Sequence, residues 1–370
     1  MKLAYVTNSI NGTSGLERMV SIQTNYFLEY FDYEIDLILL DQNEDNSDGF
    51  YPINSNINRY YLNLKSKGCK NLYQKAKGLN QILNKIEPDI VVVCDNDIFS
   101  LYIPIFINSR YKTVYQRHNA NTINLDRRRN TIKIKFLNTI KKILIKYAGK
   151  GYDRFVLLSN SHKNDWKRLN NIEVIGNPTT IDTKGQRAIL KEKTVLAVGR
   201  HDPVKGFDML LLAWAKVLDK NPDWTLNIVG KKTHGIDLKK IAKDLGILNK
   251  VIFKEYTNDV SKLYLESSIL VCSSILEGLP LVIIEAMSFG LPVVSFDCNY
   301  GPRDLITDSE DGIIVPQNNI DKLSESLNYL IDNEDIRFRY GQNAQNNIQR
   351  YSMENIMSKW KHLFEELMKE

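Results

Sequence analysis

The sequence predicts an α/β protein built from two doubly wound parallel sheets. Three observations carry that expectation. Short apolar runs such as Lys2–Thr7, Pro88–Cys94, Thr194–Val198 and Ile269–Cys272 lack strict in-out alternation, so they suit strands covered on both faces. Stretches with helical spacing separate these runs, and that alternation is the signature of a parallel sheet. The chain has 370 residues, more than one ordinary core encloses, so two domains are expected.

The elements follow in order. Lys2–Thr7 reads as a buried strand, and Ser14-x-x-Glu17 opens a helix through Phe31 with capping-box spacing, so Glu17 is read first as a cap. Glu34–Leu40, Pro88–Cys94, Lys112–Arg117, Arg154–Ser159 and Asn171–Ile175 continue the first set of strands. Thr179–Lys193 is polar, contains Gly185 and reads as a linker. The second set is Thr194–Val198, Trp224–Val229, Lys250–Lys254, Ile269–Cys272 and Val293–Phe296, with a helix Phe207–Lys220 after its first strand. The tail Ser352–Glu370 carries Ile356, Trp360, Phe364 and Leu367 on one helical face.

Composition bounds the function. With 43% hydrophobic and 25% charged residues the chain reads as an ordinary soluble protein. No stretch approaches the roughly 20 apolar residues of a membrane span, and Met1–Thr7 meets Asn8 and Gly12 too soon for a signal sequence. A cytoplasmic protein is expected. Cys69, Cys94, Cys272 and Cys298 show no metal or disulfide spacing and read as buried thiols. Charge is uneven: residues 101–150 hold 12 basic residues and the single acid Asp126. Such a patch suits nucleic acid, a phosphorylated acceptor or an anionic bilayer. Within it, Arg127-Arg128-Arg129 leads into a basic amphipathic helix, Ile132–Tyr147, which either packs on its domain with a solvated lysine face or rests on a membrane surface.

The chemistry centres on Ser274–Val294. A buried strand ends at Cys272, a turn carries Glu277 and Gly278, and Pro280 stands at the first turn of a helix holding Glu285. A glycine beside the unpaired N–H groups of a helix start is an arrangement that receives a diphosphate. Glu285 can lean back toward that entrance and accept hydrogen bonds from sugar hydroxyls. The alternative is a surface turn residue and a solvated helix carboxylate. The loop after Thr194–Val198, Gly199-Arg200-His201-Asp202-Pro203-Val204-Lys205-Gly206, adds two cations between glycines, Arg200 as a fork and Lys205 as a point charge. Two carboxylates with a diphosphate cradle suggest a nucleotide-sugar.

These residues resemble a known family. Glu277 and Glu285, set in S-x-x-E-G-x-P-x-x-x-x-E-A-M-x-x-G-x-P-V-V, look like the E-x7-E signature of retaining glycosyltransferases of family 4, which have the GT-B fold: two Rossmann-like domains facing a central cleft. Similar pieces run from Ser14–Arg18 to Asp311–Val315. The resemblance implies an acceptor-binding domain over residues 1–182, to which the helix 353–370 crosses back, and a nucleotide-sugar domain over residues 190–350. It places Gly15, Arg200, Lys205 and Gly278, Leu279, Pro280 and Leu281 around the donor diphosphate, with Ser14 standing where the family has a further glycine. Glu277 would position the donor sugar, Glu285 the ribose, and His118, at the end of Lys112–Arg117, the other face of the sugar; otherwise His118 is a structural loop histidine. Tyr256 lies near where the family's uracil contacts the backbone, and Gly301-Pro302 looks like the G-P-x-x-x-I variant of polysaccharide-building members. The implied activity is hexosyl transfer from a UDP-sugar to a glycan or lipid-linked acceptor in surface polysaccharide or lipopolysaccharide synthesis, without cofactor or metal. Asp95-Asn96-Asp97 resembles the metal-binding D-x-D of another glycosyltransferase fold, but acids after a strand often cap the next helix. The rivals are a sugar-nucleotide epimerase of the same fold and a nucleic-acid-binding protein using 127–150. Nucleic-acid binding is not expected, because it leaves the Ser274–Val294 constellation unused. The protein could work from the inner face of the cytoplasmic membrane if 127–150 meets anionic lipid.

Overall fold

The computed structural model describes residues 1–12, 14–42, 49–62, 69–95, 97–118, 149–233, 235–255 and 260–370, excepting the side chains of 69–71 and 98. They form two units, Met1–Asn177 with Ile356–Glu370, and Pro178–Asn355. The arginine run and basic helix of 127–147, Tyr256, and Asn96 of the Asp95–Asp97 segment lie outside the described residues.

The first unit holds seven strands: β1 (Lys2–Thr7), β2 (Glu34–Leu39), β3 (Asn58–Tyr61), β4 (Ile90–Cys94), β5 (Lys112–Arg117), β6 (Arg154–Leu157) and β7 (Ile172–Val174). All pair in parallel, in the order β3-β2-β1-β4-β5-β6-β7. The order reverses between β1 and β4, the switch point where ligands of such sheets bind. β4 is buried along its whole length, which explains its unbroken apolar run. β3 was not expected: Asn-Arg-Tyr-Tyr sits half-buried at the sheet edge, where packing does not demand an apolar run. Ser14 caps the helix Gly15–Phe31, its hydroxyl accepting the Leu16 N–H at 3.3 Å. The helix Met353–Leu367 buries Ile356, Trp360, Phe364 and Leu367 completely, with Phe364 edge-on to Phe27 at 5.6 Å. That aromatic contact joins both ends of the chain within one core.

The second unit holds β8 (Thr194–Val198), β9 (Thr225–Val229), β10 (Val251–Lys254), β11 (Ile269–Cys272), β12 (Val293–Asp297) and β13 (Gly312–Pro316). They form a parallel sheet in the order β10-β9-β8-β11-β12-β13, with the switch between β8 and β11. One face is covered by the helices Phe207–Leu218 and Ile320–Asp332, whose apolar stripes join the core around Trp214 and Leu327. The stretch expected as a linker packs into this unit. Leu190 is fully buried, the Ala188 N–H donates to Phe289 O at 2.9 Å, and Arg337 Nε donates to Leu190 O at 3.1 Å. Its polar composition hid two apolar anchors.

Candidate active site

In the second unit the loops at the carboxyl ends of β8, β11 and β12 interlock through glycines. After β8 the chain makes a short turn, Pro203–Lys205, capped by the Asp202 carboxylate, which accepts the Val204 N–H at 2.8 Å. The turn closes on Gly206 at φ +60°, where a Cβ would fall 2.2 Å from the Ser273 carbonyl oxygen. Only glycine lets this loop lie against the end of β11. Two hydrogen bonds fasten the contact: Ser273 Oγ donates to Lys205 O at 2.8 Å, and the Ile275 N–H donates to Val204 O at 2.8 Å. After β12, Gly301 adopts φ +94°, and a Cβ there would meet Pro280 Cδ at 2.5 Å and Gly278 O at 3.0 Å. Gly301 therefore backs the turn that leads into the helix Leu281–Ser288. Pro280 occupies the cap position of this helix, one residue before its first turn. Leu279 and Pro280 are buried, whereas Glu277, Gly278 and Leu281 remain partly open.

Within this frame Lys205 Nζ lies 2.6 Å from Glu277 Oε1, with side chains only 21% and 12% exposed. Burial works to discharge the ammonium, but the field and hydrogen bond of Glu277 outweigh it, holding Lys205 above the ordinary lysine pKa. Lys205 thus keeps its positive charge, paired with the Glu277 carboxylate, in a poorly solvated place. An ammonium has three N–H donors and Glu277 accepts one of them. Arg200, expected beside Lys205, is 67% exposed at its side chain and pairs with Asp202 at 3.3 Å. The structure brings Lys205 and Glu277 together and leaves Arg200 at the outer side of the same loop.

Glu285 is buried within the helix Leu281–Ser288. Its Oε1 accepts from Thr180 Oγ1 at 2.9 Å and its Oε2 from Tyr264 OH at 2.8 Å. The sequence suggested a carboxylate open toward the helix entrance; instead each oxygen already holds a protein hydroxyl. A carboxylate offers about four acceptor sites, so these bonds fix its orientation without exhausting its capacity. A further cavity of about 130 Å³ opens at the ends of β9 and β10, lined among others by His201, Gly230, Lys232, Phe253 and Glu255.

In the first unit, Gly15 begins the helix after β1 and Ser14 caps it. The Ser14 hydroxyl also donates to the Glu17 carboxylate, so Glu17 does serve the cap, through the hydroxyl rather than the backbone. His118 follows β5 and is buried, with Nε2 3.2 Å from Cys94 Sγ. Burial, and secondarily the Arg117 guanidinium, lowers its pKa from 6.5 to about 3, so the imidazole is neutral. Burial likewise pushes the Cys94 thiol well above its ordinary value, keeping it protonated. Asp95 accepts the Asp97 N–H and the Ser100 hydroxyl, each at 3.2 Å, and so holds the start of the helix Ile98–Leu101. That is the capping work anticipated for an acid after a strand. Cys94, Cys272 and Cys298 are free and buried.

Comparison with known proteins names the chemistry. Residues 180–347 match the model of the family described as glycosyl transferases group 1. An uncharacterized glycosyltransferase of Haemophilus influenzae is 33% identical over 364 residues, covering 97% of this chain and 99% of its own. The chain belongs to the group 1 glycosyltransferases. Another relative of this glycosyltransferase is AmsD of Erwinia amylovora, an amylovoran biosynthesis glycosyltransferase, 24% identical over 97% of this chain and 98% of its own. Among solved structures, Anabaena HepE in complex with UDP superposes with a TM-score of 0.79 at 17% identity, covering 99% of this chain and 100% of its own. At that identity the likeness shows the fold, and the two Rossmann-like units are those of GT-B. Neither the epimerase nor the nucleic-acid reading gains support from these relatives.

Two groups at the site escaped the sequence. Tyr264 and Thr180 hold Glu285 from positions far away in the chain, and nothing in their local pattern marks them. Gly301 was visible only as part of Gly-Pro; its contact with Gly278 follows from the fold.

Proposed function

We propose that this glycosyltransferase is a retaining enzyme of the family 4 type. It would transfer a hexose or N-acetylhexosamine from a UDP-sugar to a glycan or lipid-linked acceptor in the assembly of a surface polysaccharide. The observation that carries this reading is the buried Lys205–Glu277 pair, held where the loops after β8 and β11 cross. The amylovoran relative and the UDP complex of HepE support the acceptor class and the nucleotide.

Lys205, with Arg200 on the same loop, supplies charge to the departing diphosphate, the kind of electrostatic stabilisation that usually dominates catalysis. No metal is needed for that task in this proposal. Glu277 positions the donor sugar and Glu285 the ribose, the latter oriented by Thr180 and Tyr264. Gly278–Leu281 give the phosphates close approach to backbone. His118, being neutral, suits a hydrogen bond to a sugar hydroxyl and does not relay protons at pH 7. The bond from the anomeric carbon to the β-phosphate oxygen breaks as the acceptor oxygen bonds on the same face, and the leaving phosphate takes the acceptor's proton.

Thermal stabilisation by a panel of UDP- and GDP-sugars tests the donor, because a bound donor raises the melting point by mass action. The anomeric configuration of the product, read by NMR, tests retention. Stabilisation by GDP-sugars alone overturns the nucleotide assignment, and an inverted product overturns the mechanism. The basic stretch 127–150 would give weak, salt-sensitive attachment to anionic bilayers. Sedimentation with anionic and neutral vesicles at low and high salt decides that part separately.

A further inference from the structure

Two side chains beneath His118 decide which of its ring nitrogens carries the proton. β4 and β5 pair with Cys94 opposite Gln116, and the strand period of two puts His118 on the same sheet face as Gln116. The three side chains meet there away from water: Cys94 and Gln116 are fully buried and His118 is 7% exposed. Cys94 Sγ lies 3.6 Å from Gln116 Oε1 and 3.2 Å from His118 Nε2. The sulfur therefore has two polar neighbours and, as a thiol, a single hydrogen to share between them.

Counting hydrogens closes the arrangement. Burial keeps the thiol protonated and the imidazole neutral, so the ring holds one N–H and one lone pair. An amide oxygen only accepts, so the thiol hydrogen goes to Gln116 Oε1. Sulfur then offers the ring nothing but lone pairs, and at 3.2 Å a second lone pair on Nε2 would repel it. The ring hydrogen must lie on Nε2 and donate to sulfur, which leaves the lone pair on Nδ1. With the Gln116 amide turned over, its NH2 would donate to sulfur, the thiol to Nε2, and the ring hydrogen would sit on Nδ1. Because Nε2 is committed to Cys94, Nδ1 is the nitrogen left to meet a ligand, and the two arrangements give it opposite characters.

We infer that Cys94 and Gln116 are positioning residues that hold His118 as its Nε2–H tautomer, so that Nδ1 accepts a hydrogen bond from a hydroxyl or amide N–H of the bound sugar. This rests on the reading above that sets the sugar against His118, and adds to it the direction of the bond and the groups that fix it. Nitrogen-15 NMR of the ligand-free full chain tests the tautomer without any sugar. The chain has five histidines, and the resonances missing from His118→Gln identify the ring. Nε2 should show the shift of a protonated, pyrrole-type nitrogen and Nδ1 that of a pyridine-type one; the reverse pattern or an even mixture overturns the inference, and this holds even if the variants below misfold. Gln116→Met removes the acceptor of the thiol hydrogen, which then turns to Nε2. The two nitrogen shifts should exchange, and KM for the nucleotide-sugar should rise about fivefold, the range for one hydrogen bond, with kcat nearly unchanged. Cys94→Ser keeps a group that both donates and accepts and should retain the parent's tautomer and KM, whereas Cys94→Ala should give a mixture. The parent's tautomer persisting in both Gln116→Met and Cys94→Ala overturns the inference. A UDP-sugar that stabilises the protein yet leaves the Nδ1 resonance unmoved overturns the placement of the sugar at His118, a failure separate from that of the tautomer.

Discussion

At the carboxyl ends of β4 and β5 in the first unit the buried groups Cys94 and His118 are uncharged: a protonated thiol lies 3.2 Å from a neutral imidazole. At the carboxyl ends of β8 and β11 in the second unit the loops hold an ion pair, Lys205 with Glu277 at 2.6 Å, and are fitted together by glycine. Both sheets are parallel; the second reverses order between β8 and β11, and the first between β1 and β4, one strand away from β5. Topology therefore fixes where a ligand is met, and the residues at the strand ends decide its charge. In the second unit a lysine keeps its proton because a carboxylate offsets burial; in the first, burial acts on histidine without such a carboxylate and strips the proton away.

The largest effect expected from breaking this contrast is on stability. Removing one member of a largely buried pair leaves the other charge uncompensated, so Glu277→Ala should destabilise the second unit by about 3–5 kcal/mol. Lys205→Met with Glu277→Leu, which removes both charges, should restore most of that loss. Urea unfolding of Lys205→Met, of Glu277→Leu and of the two combined measures the coupling. Additive losses would mean the pair is solvated and contributes no fixed charge.

Next comes catalysis. Lys205→Ala or Arg200→Ala should lower kcat/KM by on the order of a hundredfold through lost charge on the leaving diphosphate. The two positions also sharpen the comparison, because Lys205 is held within the site whereas Arg200 is mostly exposed and tied to Asp202. If both variants transfer sugar within a few-fold of the parent, the diphosphate assignment of this loop is wrong.

His118 has its own signature in acid. The folded pKa of His118, about 3, lies below its ordinary 6.5, so the unfolded chain takes up a proton that the folded one refuses. The contribution of His118 to stability is complete above pH 6.5 and declines as pH falls toward 3, by up to ~1.4 kcal/mol per unit. His118→Gln removes that slope. Between pH 7 and pH 5 the parent should lose more stability than the variant, read from urea midpoints, and equal losses would show that His118 titrates normally.

Much of this was legible before the fold. Strand ends at Thr7, Val198 and Cys272 fall where the apolar runs stop, because strands buried on both faces have little freedom of composition. Glu277 and Lys205 stood out because glycines flank them. The pairing of the two was not legible, since 72 positions separate them and only the juxtaposition of β8 with β11 brings them together. Glu285 was legible as a residue but not as a buried carboxylate held by Tyr264 and Thr180. Leu190 was lost in polar surroundings, and β3 in a half-exposed edge.

The smallest effect belongs to Asp97, and it separates two kinds of glycosyl transfer. Asp95-Asn96-Asp97 resembles a metal-binding D-x-D, but Asp95 accepts the Asp97 N–H and the Ser100 hydroxyl and so caps the helix Ile98–Leu101. In a metal site both carboxylates would turn toward the ion, whereas here one holds the backbone that carries the other. The bond to Asp95 uses the Asp97 N–H, which any residue supplies, and Asp97 is exposed. Asp97→Ala should therefore leave donor affinity within about twofold, because surface changes away from packed or catalytic groups alter energies by about 0.5 kcal/mol or less. Transfer should also persist in EDTA if, as proposed, Lys205 and Arg200 supply the cationic charge a metal would bring. Loss of activity in EDTA with recovery on adding Mn²⁺ would move the source of that charge from the second unit to an ion, and the contrast between the two regions would have to be redrawn.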